Sequence, residues 1–403
     1  MPVVRSPVVR WLGVAGGLLA QVGCGGAPGV VLAPAPAAAA LDSAAIETTV
    51  FLVGDAGHAT PADRVLAEVG RQGQLAPRSS LIVFLGDNVY PRGIPADTAA
   101  SYLEARDRLF VQARLAPLTG LRIIFIPGNH DWDGQGPAGW INVQHQGRLL
   151  KRFADSTGAK VELLPEAGCP GPVPVDIGTR LRLVAIDTHW WLHGHGRPGR
   201  EPPGLRAQLP DPDTRCPVTT KDAVVGALRE IHARGDGRVA VLVGHHPLRS
   251  SGEHGGYYPW TRYLFPLVPT PFAPWLWLPL GWIEPLGRKL LGHPQDFAGR
   301  ANREMRSAIE ATFSPTAPLI YAAGHDHSLE VGRQGPDRFF LVSGSGTENH
   351  QSAVGRGDSV AFRSASPGFA RVDLMRDGRV RIGFTTLTDG RIEESYHAWL
   401  KER

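Results

Sequence analysis

An α/β fold with polar residues gathered at the carboxyl ends of buried strands is predicted by three observations. Runs of about four to eight apolar residues end at a glycine followed by a polar side chain, the pattern of a buried strand meeting a turn. Leu81–Leu85 before Gly86-Asp87-Asn88-Val89-Tyr90 and Val239–Val243 before Gly244-His245-His246-Pro247 are examples. Segments of helical spacing separate these runs. The polar residues stand at strand tips, where open α/β sheets place their ligands.

The 403-residue chain has a net charge of +4, 49 Gly and 35 Pro. That length suits one large domain or two small ones with much loop. No basic stripe or nucleic-acid-reading motif occurs, so nucleic acid is not an implied partner. Residues 1–23 read as an export signal, with Arg5 and Arg10 ahead of the apolar run Trp11–Ala20, which is too short to span a bilayer. Gln21-Val22-Gly23-Cys24 resembles a bacterial lipoprotein cleavage site, with the lipid on Cys24; cleavage near Ala37–Ala40 is the alternative. Residues 24–45 read as a flexible Ala/Pro linker and 46–403 as the folded domain. The protein is therefore expected to be exported, either as a membrane-anchored lipoprotein or free in the periplasm or outside the cell. Cys169 and Cys216 form a disulfide there or remain separate buried thiols.

Thr48–Val53 is the first strand, ending in Gly54-Asp55-Ala56-Gly57, and Gly57 lets the chain pass close to an ion. His58 lies beyond the turn and is expected in solvent or behind the ligands. A helix is expected over 61–72, started by Pro61. Asp87 reads as a carboxylate bridging two metal ions and Tyr90 as a phenolate on one of them. Residues 98–116 show helical spacing, with Tyr102, Leu103, Leu109, Phe110 and Ala113 on one face. The strand Leu121–Ile126 runs into Gly128-Asn129-His130-Asp131, where His130 is a candidate proton donor or phosphate contact. A helix over 140–155 follows, then a strand from Arg180 to Ile186.

His189, His193 and His195 with Trp190 and Trp191 are expected to form a partly exposed loop at the cleft rim, and 198–219 a surface excursion. Helices are expected over 221–233 and 301–313. His245 closes one strand, and Glu253-His254-Gly255 lies just beyond it. The stretch Leu264–Ile283 carries no charge and five prolines, a density that argues against a membrane-spanning helix. It either covers the core as a Trp/Pro-rich insertion at about 259–295, or gives peripheral membrane association beside a lipid at Cys24. Pro318–Ala323 leads to Gly324-His325-Asp326-His327, and Phe339–Val342 to Ser343-Gly344-Ser345-Gly346. From Ala370 the chain alternates, with hairpin turns at Asp377-Gly378 and Asp389-Gly390.

Asp55, Asp87, Tyr90, Asn129, His245, His325 and His327 make seven candidate metal ligands, enough for two ions. Mixed oxygen and imidazole donors suit first-row transition metals rather than calcium. These ordered motifs resemble those of the calcineurin-like metallophosphoesterases, and among them the small, tartrate-resistant type of purple acid phosphatase. The resemblance implies a sandwich of two mixed β-sheets flanked by helices, from about Val50 to the end. It implies a first ion on Asp55, Asp87, Tyr90 and His327, and a second on Asp87, Asn129, His245 and His325. Most of that superfamily has a histidine where Gly57 stands; the purple enzymes supply a tyrosine instead, as Tyr90 would. Fe(III) at the first site with Fe(II), Zn(II) or Mn(II) at the second is implied. His130 and His254 match the histidines that contact phosphate and assist the leaving group, while His246 falls where an aromatic residue is common. The implied activity is hydrolysis of phosphate monoesters by a metal-bound hydroxide. Phosphodiester or nucleotide hydrolysis on the same metals is the alternative. An exported surface-binding module with weak catalysis is the reading of another class.

Overall fold

The computed structural model describes residues 43–234, 236–259, 292–313, 319–335, 337–355 and 360–400, with residues 282, 286–288 and 290. The strand Ile46–Val53 (β1) turns Val50 and Leu52 to one side and Phe51 and Val53 to the other, all fully buried. Side chains alternate along a strand, so burial on both faces marks β1 as central in a covered sheet. β1 pairs in parallel with Leu81–Phe84 (β2), followed in parallel by Arg122–Phe125 (β3) and Val161–Leu163 (β4). On its other side come Gly368–Met375 (β12), Val380–Thr388 (β13) and Arg391–Trp399 (β14), all antiparallel.

The second sheet is built on four parallel strands: Leu181–Ala185 (β6), Val239–Val243 (β7), Leu319–Ala323 (β8) and Arg338–Ser343 (β10). Val173–Ile177 (β5) closes one edge antiparallel; Leu329–Gln334 (β9) and Val360–Ser364 (β11) close the other. Each sheet is mixed and seven-stranded. Val50, Leu52, Val83 and Ile124 of the first share one buried core with Leu183, Val241, Ile320 and Leu341 of the second. The fold is thus the expected sandwich, with all its parallel strand tips at one end.

Helices flank the sheets: Arg64–Leu75 (α1), Tyr102–Ala113 (α2), Leu115–Thr119 (α3), Gly139–Thr157 (α4), Thr188–Leu192 (α5), Lys221–Ala233 (α6) and Arg300–Glu310 (α7). Phe51, Phe84 and Phe125 join a second buried cluster with Leu66, Leu109 and Leu150 of these helices. Three expectations are corrected. α1 starts not at Pro61 but after Asp63, whose Oδ1 accepts from the amides of Val65 and Leu66 at 3.0 and 3.1 Å. The helix expected over 98–116 divides at Arg114, and Leu103 is 58% exposed. The buried face of α2 includes Gln112 instead, which donates to the Asn88 carbonyl at 2.7 Å and so steadies the Asp87 loop. The His/Trp segment is exposed only at its end: Asp187 caps the short α5, and His189, Trp190, Trp191 and His193 are buried, while His195 is exposed.

Cys169 and Cys216 are disulfide-bonded, with 5.5 Å between Cα atoms, which fastens the 198–219 excursion to the segment ahead of β5. Residues 1–42, holding the expected signal, Cys24 and most of the linker, lie outside the described residues, as does most of Leu264–Ile283. Among the described residues no helix is long and apolar enough to cross a membrane.

Candidate metal centre

The tips of β1, β2 and β3 from one sheet meet the tips of β7 and β8 from the other. Close approach at this end depends on glycines. A Cβ at Gly128 would lie 2.2 Å from the Asp87 amide, and one at Gly324 2.4 Å from Asp55 Oδ2. Three of the ligand candidates take left-handed backbone: Asp55 (φ 58°), Asp87 (φ 52°) and His325 (φ 71°). That conformation is uncommon for a non-glycine residue, and such strain concentrates where surrounding structure holds a functional side chain in place. Here the holding bonds are Gly54 N–H to the Ser343 carbonyl (2.7 Å) and His325 N–H to Asp55 Oδ2 (2.8 Å).

All seven candidate ligands come together, in two sets. In the first, the Tyr90 hydroxyl stands 3.2 Å from Asp55 Oδ1, 3.2 Å from Asp87 Oδ2 and 3.3 Å from His327 Nε2. His327 Nε2 is 3.4 Å from Asp55 Oδ1. In the second, Asn129 Oδ1 lies 2.9 Å from His245 Nε2 and 3.0 Å from His325 Nδ1. His245 Nε2 is 3.4 Å from Asp87 Oδ1. Asp87 thus shows one oxygen to each set. Donor atoms bonded at about 2.0–2.2 Å to one octahedral ion stand about 3 Å apart along an edge, so both sets have the spacing an ion requires.

Tautomers agree with this. His245 Nδ1–H donates to the Leu85 carbonyl at 2.9 Å, which leaves the Nε2 lone pair facing the second set. His246 differs. Its amide donates to Thr188 Oγ1 at 3.0 Å, and its Nδ1 lies 2.9 Å from the same hydroxyl. His246 forms with His245 and His325 a further buried group that could hold an ion, and its Nε2 has no hydrogen-bond partner among the described residues.

The electrostatics are those of a cation site. Burial opposes charge on Asp87, but His245 and His130 outweigh it and hold the carboxyl well below its usual range. Burial would lower His245, yet Asp87 pushes it up to about 9. Burial and the two neighbouring carboxylates raise the Tyr90 phenol. A cation among these groups reverses that logic and draws the proton off the phenol.

His130 and His254 flank the two sets. His130 Nδ1 is 2.6 Å from the Pro91 carbonyl, so it donates and Nε2 is left toward the cleft, 3.9 Å from Asp87 Oδ2. His254 Nδ1 is 2.8 Å from Asp296 Oδ1, which Arg288 also bonds. Burial raises the Asp296 carboxyl less than the His254 and Arg288 hydrogen bonds lower it. The His254 amide donates to Asp326 Oδ1 at 2.9 Å. Asp296 was not foreseen, since nothing in sequence ties it to His254. Asp131 was quoted only as the end of its motif. It takes the amides of Gly128 (2.7 Å) and Asn88 (3.1 Å), and burial raises it to about 8. His350, also unforeseen, packs on the first set: its ring centroid is 3.9 Å from His327 and 4.8 Å from Tyr90. His58 stacks on the Tyr90 ring at 4.5 Å.

Residues 48–269 match the family model for calcineurin-like phosphoesterase. Among solved structures the chain is similar to GAP50, the anchor in the inner membrane complex of Plasmodium. The identity is 14%, 86% of this chain and 88% of that one are covered, and the TM-score is 0.51. It is also similar to purple acid phosphatase PPD1 from yellow lupin (Lupinus luteus) seeds, at 14% identity and a TM-score of 0.49. That alignment covers 87% of this chain and 53% of the lupin chain, so the chain spans about half the lupin protein's length. No curated protein matches.

Proposed function

Since the chain belongs to the calcineurin-like phosphoesterases, we propose that it hydrolyses phosphate monoesters at a two-ion centre held by Asp55, Asp87, Tyr90 and His327 on one side and Asp87, Asn129, His245 and His325 on the other. One observation carries the reading: two donor sets at ion-binding spacing share Asp87, and each draws ligands from both sheets. When bound, two ions lower the pKa of a water and clamp the oxygens of an in-line phosphoryl displacement. The phenol of Tyr90 is a hard donor, which favours Fe(III) in the first set and a divalent Fe, Zn or Mn in the second.

The chain's own residues do the rest. His130 and His254 each fix Nδ1–H on an acceptor, Pro91 carbonyl and Asp296 respectively, and each presents Nε2 to the cleft. His130 lies beside Asp87 and would hold a phosphoryl oxygen. His254, backed by the Asp296 carboxylate, would hold a proton at Nε2 and give it to the departing alcohol oxygen. Asp131 ties the Asp87 loop to the Asn129 loop and keeps their separation constant.

The test is phosphate release by the metal-loaded protein from an aryl monoester beside the matching diester. Monoester release lost in Asp87→Ala supports the reading, and release from the diester alone replaces it with a phosphodiesterase. Metal binding without release from either moves the role to surface binding. The disulfide supports export to an oxidising compartment. Anchoring by a lipid on Cys24, helped by the apolar stretch 264–283, is proposed with it; a Cys24→Ala protein released from the membrane fraction would bear it out.

A further inference from the structure

We propose that His58 and His350 are positioning residues that clamp the Tyr90 ring and so hold its hydroxyl in the first donor set; the inference rests on Tyr90 being an ion ligand. Tyr90 differs from the other six candidates in the length of its lever. Its oxygen is the far end of a ring, and any swing at χ1 carries it away from Asp55, Asp87 and His327. Hydrogen bonds to those three at 3.2–3.3 Å fix the oxygen only while a proton is shared among them. Something must fix the ring itself.

Imidazoles from three loops do this. His58, on the turn after β1, lies nearly parallel to the ring, at 4.5 Å between centroids and 11° between planes. His350, on the loop after β10, meets it at 4.8 Å and 57°. His130 closes a third side edge-on, at 4.5 Å and 62°. These separations are those of favourable aromatic contacts, stacked and tilted. His58 and His350 also touch each other, at 5.0 Å. His350 reaches a second ligand as well, lying 3.9 Å from the His327 ring. One imidazole therefore packs on two of the four members of the first set.

Neither His58 nor His350 has a ring hydrogen bond to the described residues, and neither belongs to a donor set. Their placement is a matter of ring against ring. His58 comes from the first sheet and His350 from the second, so the two sides of the clamp are joined only when the sandwich is closed. Residues that orient a metal ligand typically change ion affinity by roughly 10–100-fold when removed.

The experiment uses the full chain loaded with Fe(III). It reads the phenolate-to-iron absorption band and the retention of Fe(III) against a competing chelator. Wild type, Tyr90→Phe, His58→Ala, His350→Ala and His58→Phe are compared. The band should be present in wild type and absent in Tyr90→Phe. His58→Ala and His350→Ala should each shift it and lose Fe(III) roughly tenfold or more readily. His58→Phe should keep both properties, because it retains a stacking face and lacks ring nitrogens. A wild-type band left unaltered in both alanine variants overturns the clamp alone, and so does a His58→Phe protein that behaves as His58→Ala. Absence of any Tyr90-dependent band overturns the ligand assignment and the clamp with it.

Discussion

Gly57→Ala tests the first donor set without touching a ligand. Gly57 is packed against the Asp87 loop: its amide donates to the Asp87 carbonyl at 2.9 Å. A Cβ built there would stand 2.7 Å from the Asp87 carbonyl oxygen and 2.8 Å from the amide nitrogens of Val89 and Tyr90. Ordinary contact begins at 3.4 Å, so three backbone atoms are overlapped by about 0.6–0.7 Å. None is the end of a flexible side chain. The strain must be relieved by moving the Asp87–Tyr90 loop away from Asp55. Overpacking of this kind costs roughly 1–3 kcal/mol, and contact with backbone alone places it toward the top of that range. The loop shift also draws the Tyr90 hydroxyl off Asp55 and His327. Urea unfolding under chelator should show the stability loss. Fe(III) titration should show weaker binding with a diminished phenolate band, and phosphate release should fall with it. Gly57→Ala with an unchanged unfolding midpoint and unchanged iron binding would refute the claim that this position has no room for a side chain. The same overlap explains why a histidine ligand is not accommodated at residue 57 and why the tyrosine stands opposite.

Asp296→Asn should slow alkyl phosphates, whose leaving groups need a proton, by roughly tenfold or more while sparing aryl phosphates; equal loss on both would mean Asp296 acts only on structure. Burial raises the Asp187 carboxyl to about 7, while it accepts from Trp132 Nε1 and the Trp190 amide. A raised folded pKa means the folded state binds the extra proton, so stability is highest below the unfolded value and falls as pH rises from about 4 to about 7. The change is at most about 4 kcal/mol. Chelator-treated wild type should thus lose unfolding free energy between pH 5 and pH 8 that Asp187→Asn does not lose. Adding a divalent ion at about 100 times its dissociation constant should raise unfolding free energy by about 2.7 kcal/mol, and Asp87→Ala should show far less of this gain.

The strands that carry ligands were legible because each is buried on both faces and reads as an unbroken apolar run. The ones that escaped notice are mostly at edges. β5 contains Pro174 and β4 has three residues, both at sheet margins, where one side needs no partner. β11 ends the second sheet in the same way. β9 lies inside it, but Gly332, Arg333 and Gln334 break its apolar pattern. Five of the seven candidate ligands were legible because each directly follows a glycine in the chain. Asp296 and His350 were not, since they act on His254 and Tyr90 across 42 and 260 residues and carry no local pattern of their own. The His189–His193 segment misled for a related reason. Histidines beside tryptophans suggest a wet rim, yet Trp190 and Trp191 of α5 pack into the core and take His189 with them, while His195 beyond the helix stays exposed.

Each donor set gathers candidate ligands from both sheets: Asp55, Asp87 and Tyr90 with His327, and Asp87 and Asn129 with His245 and His325. An ion here is therefore a rivet through two plates. On the proposed ligand set it would be captured only after the plates have come into register, so loading with metal would mark the end of folding rather than its start. Once seated, it resists the parting of the sheets at the end where their hydrogen-bonded ladders stop. On the proposed export, the chain would cross a membrane without metals and take them up on the far side.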